Sequence, residues 1–410
     1  MPALVKRILY TAVGSVSLII RSLCGLLQNN DHQKNCYKEA EKGTNQKSEY
    51  LRLSNGIRIH YHCLDAIESA SDLVIFIHGF PDSCHLWTGL INNHARDEAN
   101  LVALDLPGFG KSEGLSSYGS DDMLTTIYLA IVEFKKSYSC QHCIVVGHDW
   151  GGIIASRIAA QTQGLIDHLV LVNSLFVPHF SHMIEERLEM AGQIFSAGVS
   201  NQSYTSWLNE IWQAASPVVS QLYKSNYIFM FQLSFFSATK FDWALKSILS
   251  ACYKWSQAEI QDVRSGHTIG SSLAGHQHDY SLNAWNDRVR LYREGLMSEP
   301  WRFAPQHQNG VQPDDKTVKC TTTVIFGLQD QALNSRIAVD GIDAFIQPPT
   351  GHPKGCVYLL EDVGHWSPLN ARCIQVIQHV LAGAKSHAEV SSSSRIEIET
   401  VQGLISRDLL

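Results

Sequence analysis

Residues 145–152 read VVGHDWGG, which sets an aspartate between glycines where an apolar run passes into a helix-length segment. A strand that ends in G-x-D-x-G and continues directly as a helix is typical of a nucleophile elbow, in which small neighbours let a strained turn push one side chain into a pocket. Asp149 would be ionised at neutral pH and could attack a saturated or epoxide carbon to leave an enzyme ester. On this stretch alone, an aspartate that caps the following helix remains the alternative.

Short apolar runs that end in polar or glycine-containing turns occur on both sides of this stretch. They lie at 73–77, 101–104, 144–146, 169–172, 322–326 and 357–360. Buried parallel strands have this pattern, and helix-length segments at 121–136 and 152–161 separate several of the runs. The alternation predicts an α/β fold with a mostly parallel sheet and helices on both of its faces.

The alternation stops over residues 177–315, which the sequence predicts to be helical, and it then resumes. Such an insertion predicts a lid over the carboxyl ends of the strands, where sheets of this kind bind ligands. The lid is rich in Phe, Trp and Tyr, so the pocket beneath it is predicted to be apolar. Residues 29–48 are predicted to be a linker, and residues 49–176 and 316–385 are predicted to be the two parts of the core. Residues 386–410 are predicted to be a C-terminal tail.

Three further motifs follow predicted strands. His78-Gly-Phe80-Pro would bring the Phe80 backbone N–H beside that of Trp150 as an oxyanion hole. Asp330 ends the first strand after the insertion, and His365 follows the last one. The order nucleophile, acid, histidine is that of hydrolases with a nucleophile elbow, although a turn aspartate or a packing histidine is the alternative for each residue taken alone.

Composition excludes several classes of protein. The 410 residues are 45% hydrophobic and 17% charged, with a formal net charge of −7, which is globular and disfavours nucleic acid as a partner. Ten irregularly spaced cysteines do not form a disulfide framework, and Cys140-x-x-Cys143 has no second pair to complete a zinc site. Gly110-Lys-Ser112 ends like a phosphate-binding loop, but Asp105 stands where the first glycine of that motif is required. The sequence therefore predicts no cofactor and no metal, and it leaves the oligomeric state open.

Residues 1–28 contain an apolar run from Ile8 to Leu27 that is interrupted by Arg21. Its length is about what a bilayer requires, whereas an arginine at that depth costs roughly 2–3 kcal/mol. A single membrane anchor, for instance in the endoplasmic reticulum, and a cleaved targeting peptide that leaves a soluble enzyme are the two interpretations.

The chain resembles the epoxide hydrolase branch of the α/β-hydrolase superfamily through four motifs. They are H-G-F-P at 78–81, D-L-P-G-F-G-K-S at 105–112, G-H-D-W-G-G at 147–152 and V-G-H-W at 363–366. The resemblance implies that Asp149 is the nucleophile, Asp330 the acid and His365 the base. It also implies two lid tyrosines that protonate the epoxide oxygen: Tyr227 matches the first, and Tyr292 the second, unless Trp285 occupies that place.

By this resemblance, the expected reaction converts a lipophilic epoxide and water to a vicinal diol through an aspartyl ester, without a cofactor. Two alternatives remain. A haloalkane dehalogenase would use the Trp150 side chain as a halide donor, although Phe80 stands where those enzymes commonly carry a polar halide ligand. A ligand receptor without activity on the same fold is disfavoured by the intact set of Asp149, Asp330 and His365.

Overall fold

A computed structural model describes residues 16, 46–93, 99–199, 203–233, 287–296, 301–303, 315–384 and 404–408. Within these ranges one sheet of nine strands forms the centre of the molecule. The strands are β1 Lys47–Arg52, β2 Arg58–Cys63, β3 Asp72–Ile77, β4 Asn100–Leu104, β5 His142–His148, β6 His168–Val172, β7 Thr321–Gly327, β8 Cys356–Leu360 and β9 Leu404–Asp408.

The strand order across the sheet is β1-β2-β4-β3-β5-β6-β7-β8-β9. All neighbours from β4 to β8 run parallel, whereas β1–β2, β2–β4 and β8–β9 are antiparallel. This confirms the predicted α/β fold with a mostly parallel sheet. The antiparallel strands at the two edges were not predicted. In particular, residues 386–410 are not a tail throughout, because Leu404–Asp408 pairs with the outer edge of β8.

Helices cover both faces of the sheet. Successive side chains of β3 point to opposite faces of the sheet, and each face has its own apolar core. Ile75 lies in one core, and Phe76 lies in the other. The helices are α1 Thr88–Asn93, α2 Ser120–Tyr138, α3 Trp150–Gln161, α4 Val177–Ala197, α5 Tyr204–Lys224, α6 Tyr227–Phe231, α7 Ser335–Ala338 and α8 Ala371–Ala384. The cores join the sheet to α2 and α3 on one face and to α1 and α8 on the other.

The described parts of the predicted lid are helical. They comprise the packed pair α4 and α5, the short helix α6 and a π-helix at Leu291–Leu296. Short 3-10 helices occur outside the lid at Cys84–Trp87, Ile342–Phe345 and Ser367–Leu369.

The described residues contain no helix that is long and apolar enough to cross a membrane. Apart from Val16, the predicted anchor at 1–28 lies outside the described residues.

Candidate active site

The aspartate at the elbow lies between β5 and α3, at φ 49° and ψ −120°, a backbone conformation that non-glycine residues rarely adopt. Small neighbours make this turn possible. A Cβ atom on Gly147 would lie 2.5 Å from the Gly152 Cα, and one on Gly151 would lie 2.3 Å from the Ile77 carbonyl oxygen. Asp149 makes no side-chain capping hydrogen bond to α3. The carboxylate is therefore not a side-chain cap of this helix.

Two backbone amides meet at this carboxylate, as the sequence predicts. The Phe80 N–H donates to Asp149 Oδ1 at 2.9 Å, and the Trp150 N–H also hydrogen-bonds the carboxylate. The loop that carries Phe80 can approach so closely because Gly79 has no side chain: a Cβ atom there would lie 2.4 Å from the Asp149 Cβ. The ring of His78 holds the same loop, since its Nε2 accepts the Leu106 N–H at 3.0 Å.

The histidine lies between two carboxylates. His365 Nδ1 is 2.8 Å from Asp330 Oδ2, and His365 Nε2 is 3.6 Å from Asp149 Oδ2. Asp330 Oδ1 accepts the backbone N–H groups of Ala332 and Leu333 at 2.6 and 2.8 Å. The structure thus brings the three residues together in the arrangement in which a fixed acid orients an imidazole toward a nucleophile.

Burial and charge act against each other in this set. Burial alone would lower the pKa of His365, but the charges of Asp330 and Asp149 outweigh it and raise that pKa above 6.5. Burial raises the pKa of Asp149 above its ordinary value, although His365 and the two amides oppose the increase. For Asp330, burial is outweighed by His365 and by hydrogen bonds, and its pKa is lowered. Asp330 is therefore the permanent anion of the site.

Both predicted lid tyrosines belong to one aromatic cluster that includes the elbow residue Trp150. Tyr227 begins α6 and Tyr292 lies in the π-helix, with their rings 6.0 Å apart. The Tyr292 ring packs edge-on against Phe80 and Trp150, at 5.0 and 5.1 Å between centroids. Burial, together with the neighbouring Tyr227 and Asp149, raises the pKa of Tyr292 well above 10. Its hydroxyl is consequently a protonated donor. Trp285, the competing residue, lies outside the described residues.

Side chains and carbonyls hold the two tyrosine-bearing segments to each other. Gln232 Nε2 donates to the Tyr292 carbonyl at 2.8 Å, and Arg293 Nε donates to the Phe231 carbonyl at 2.6 Å. The π-helix is also fixed to the core, because Glu294 Oε2 accepts the Tyr118 N–H at 2.7 Å and Arg290 Nη2 donates to the Ser116 carbonyl at 2.7 Å.

Two groups that support the acid were not found from the sequence. Asn173 directly follows β6, donates to Asp330 Oδ2 at 2.7 Å and accepts the Gly327 N–H at 3.0 Å. Its place at the carboxyl end of a buried strand was the available signal. Lys224, the last residue of α5, donates to the backbone carbonyls of Asp330 and Leu333. Nothing in the local sequence around Lys224 points to that contact, which joins residues more than a hundred positions apart.

Comparisons with known proteins agree with this architecture. A family model described as "alpha/beta hydrolase fold" matches residues 72–206. The chain is 24% identical to "Epoxide hydrolase 1" of Caenorhabditis elegans over 78% of its own length and 66% of that protein. It is 31% identical to "Epoxide hydrolase 4" of Mus musculus over 39% of its own length and 42% of that protein. The chain thus spans less than two thirds of these relatives.

Solved structures show the same fold. A structure titled "Novel epoxide hydrolases belonging to the alpha/beta hydrolases superfamily in metagenomes from hot environments" is similar with a TM-score of 0.53 and 19% identity, over 84% of this chain and 99% of that one. A mutant epoxide hydrolase from Bacillus megaterium with its diol product is similar with a TM-score of 0.53 and 20% identity, over 83% and 99% of the two chains. The resemblance drawn from the four motifs is confirmed.

Proposed function

We propose that this chain, which has the α/β-hydrolase fold and resembles the epoxide hydrolases, converts lipophilic epoxides to vicinal diols. One observation carries the proposal: an elbow carboxylate, Asp149, lies beside a buried imidazole, and two neighbouring tyrosines form one aromatic cluster with the residues whose amides flank it. A nucleophile, a base for water and a proton donor for a strained ether oxygen are the groups that this reaction needs.

In the first half-reaction, the Asp149 carboxylate attacks an epoxide carbon and the carbon–oxygen bond of the ring breaks. The oxygen that leaves takes a proton from Tyr227 or Tyr292, which becomes a tyrosinate. Because the pKa of Tyr292 is raised, the proton is present on that hydroxyl at neutral pH and is available when the alkoxide forms. The product of this step is a hydroxyalkyl ester of Asp149.

In the second half-reaction, His365 removes a proton from water, which attacks the ester carbonyl carbon. The Phe80 and Trp150 amides would stabilise the oxyanion, in keeping with their present bonds to the carboxylate. The Asp330 charge stabilises the imidazolium, which then protonates the leaving diol oxygen. The second proton of the water passes through solvent to the tyrosinate and regenerates the tyrosine. One epoxide and one water are therefore consumed for each diol.

A haloalkane dehalogenase is less well supported. The Trp150 ring packs edge-on against Tyr292, the residue that the epoxide reaction uses as a proton donor, with 5.1 Å between the ring centroids. Phe80 offers a halide no side-chain donor. A ligand receptor without activity would not need a buried anion aligned with a histidine.

A single turnover in heavy-oxygen water tests the proposal. With enzyme in excess over an aryl or fatty-acid epoxide, we expect the first diol to contain light oxygen, which it takes from the Asp149 carboxylate. Heavy oxygen in the first diol would mean that water attacks the epoxide directly, and the ester mechanism would be wrong. Turnover of haloalkanes but not of any epoxide in a parallel panel would transfer the proposal to the dehalogenase.

We also propose that residues 1–28 attach the enzyme to a membrane, supported by the apolar run from Ile8 to Leu27. Full-length protein should then remain in the membrane pellet after a carbonate wash, whereas a chain that begins at Ser48 should be released and active. Release of full-length protein would favour a cleaved targeting peptide or a peripheral helix.

A further inference from the structure

Two histidines and a cysteine meet beside the loop that carries Phe80. His60 and His62 are two residues apart on β2, and Cys84 begins the 3-10 helix that follows the loop. One ring nitrogen of each histidine and the Cys84 sulfur all lie within 4.8 Å of one another. All three residues are buried, with His62 the most accessible at 8% exposure. The proposed epoxide chemistry uses none of them.

His62 has one ring nitrogen that makes no hydrogen bond to the described residues. Its Nδ1 is buried and has no hydrogen-bond partner among the described residues. The rings of His60 and His85 pack against His62, at 5.2 and 4.6 Å between centroids. Buried ring nitrogens normally find a partner, so this one needs an explanation.

A fixed carboxylate adjoins the same cluster. Asp105 Oδ2 lies 2.7 Å from His60 Nδ1, and Asp105 Oδ1 accepts the Cys84 backbone N–H at 2.6 Å. His60 Nδ1 is also the ring nitrogen nearest the Cys84 sulfur, so the Asp105 carboxylate lies where a fourth ligand would be needed. The other ring nitrogen, His60 Nε2, lies 2.8 Å from Ser48 Oγ, which orients the imidazole.

We propose that His60, His62 and Cys84 bind a thiophilic divalent cation such as Zn²⁺, with Asp105 or water completing the coordination. Imidazole nitrogens, a thiolate sulfur and a carboxylate oxygen are each ligands that zinc takes in proteins. Binding releases the Cys84 thiol proton to solvent, so that the thiolate and the Asp105 carboxylate balance the two positive charges.

The Cys84 sulfur lies 3.9 Å from His60 Nδ1, so that a single ion between them can contact both atoms. Because Cys84 lies four positions after Phe80, the ion would fasten the oxyanion loop to β2 without touching the substrate.

Cobalt and zinc binding to the full chain test the site. After treatment with a chelator, Co²⁺ should give a near-ultraviolet sulfur-to-cobalt charge-transfer band that saturates at one equivalent. Zn²⁺ should abolish that band and raise the melting temperature by ~3 °C or more when it is present at a hundredfold excess over its Kd. Cys84→Ser should remove the band and weaken zinc binding at least tenfold.

Cys373→Ser is the matched control, because Cys373 is an equally buried free thiol in α8. It should leave the band and the zinc affinity unchanged. If Cys84→Ser does not fold, His62→Gln gives the same test through the zinc affinity. Failure of the parent protein to bind one equivalent, or a band that persists in Cys84→Ser, would overturn the site. Epoxide turnover in the zinc-free protein keeps this outcome separate from the proposed function.

Discussion

The core side and the lid side of the candidate site are built in different ways. On the core side, Asp149, Asp330 and His365 follow strands of one sheet, and backbone amides hold both carboxylates. On the lid side, the segments of Tyr227 and Tyr292 are held by ring packing and by side-chain hydrogen bonds to backbone carbonyls. Backbone amides hold the charged carboxylates in place, whereas packing of the rings positions the neutral tyrosine hydroxyls. We therefore expect the core to control ester hydrolysis and the lid to control ester formation.

The largest effect should come from His365→Gln, which removes the base. Asp149 can still be alkylated, so the ester should accumulate and be visible by intact mass, while turnover falls by ~10⁴ or more. His182→Gln, on an exposed position of α4, is the control and should have no effect. Turnover at the parent rate without His365 would place the base outside the core set.

Asp330→Asn should slow the same half-reaction by ~10³ or more. The carboxylate accepts hydrogen bonds at both oxygens, two of them from the amides of the following turn, so an amide group would turn its NH₂ toward His365 Nδ1. The ring would then hold its proton on the wrong nitrogen. Rapid-quench measurement of ester decay should show the loss, and an unchanged decay rate would contradict the role of the acid.

Replacement of a lid tyrosine should affect the other half-reaction. Tyr292→Phe and Tyr227→Phe should each slow ester formation from an epoxide by ~10² and leave ester decay almost unchanged. Tyr223→Phe, at an exposed lid position, is the matched control. If both single variants form the ester at the parent rate, the lid supplies no proton and the contrast between the two sides is lost.

The pH dependence should show how the core changes during turnover. The charges of Asp330 and Asp149 raise the pKa of His365 in the free enzyme, and esterification of Asp149 removes one of them. The pKa of His365 should therefore be lower in the ester. Ester decay should therefore slow on acidification with a midpoint pH that reports this lowered pKa. We expect that midpoint to be lower than the pKa of His365 measured by NMR in the free protein. Coincident values would contradict the coupling between Asp149 and His365.

The smallest effect should come from Lys224, which links the two sides. Its charge lowers the pKa of His365, so Lys224→Met should move the acidic limb of ester decay to higher pH and slow turnover only a few-fold. Lys135→Met is the matched control. Lys135 lies on α2 and also donates to a backbone carbonyl, that of Leu165, at 3.0 Å. A slower rate without a shift of the limb would indicate a structural contact alone.

The sequence predicted the core side far better than the lid side. Strand runs and their terminal motifs are short-range signals, and the parallel sheet brings their ends to one edge, so Asp149, Asp330 and His365 could be named in advance. The assignment of Tyr292 rested on the resemblance alone, since a helical segment does not reveal which aromatic residue faces the pocket.

Contacts between distant positions could not be predicted. The bond of Lys224 to the acid turn joins two segments with no shared pattern. The cluster of His60 and Cys84 was missed for the same reason, because zinc motifs are recognised by close spacing and these donors lie on separate elements. The strand Leu404–Asp408 was read as a tail, since its pairing depends on the free edge of β8.

The attachment of both tyrosine-bearing segments to the core has a kinetic consequence. Gln221 and Lys224 fasten the end of α5 to the acid turn, and Arg290 and Glu294 fasten the π-helix to the loop before α2. Among the described residues, these contacts tie both donor segments to the core before a substrate arrives, so binding energy is not needed to order them. Association should follow a single phase in stopped-flow tryptophan fluorescence, with a rate proportional to epoxide concentration and no slow closing step.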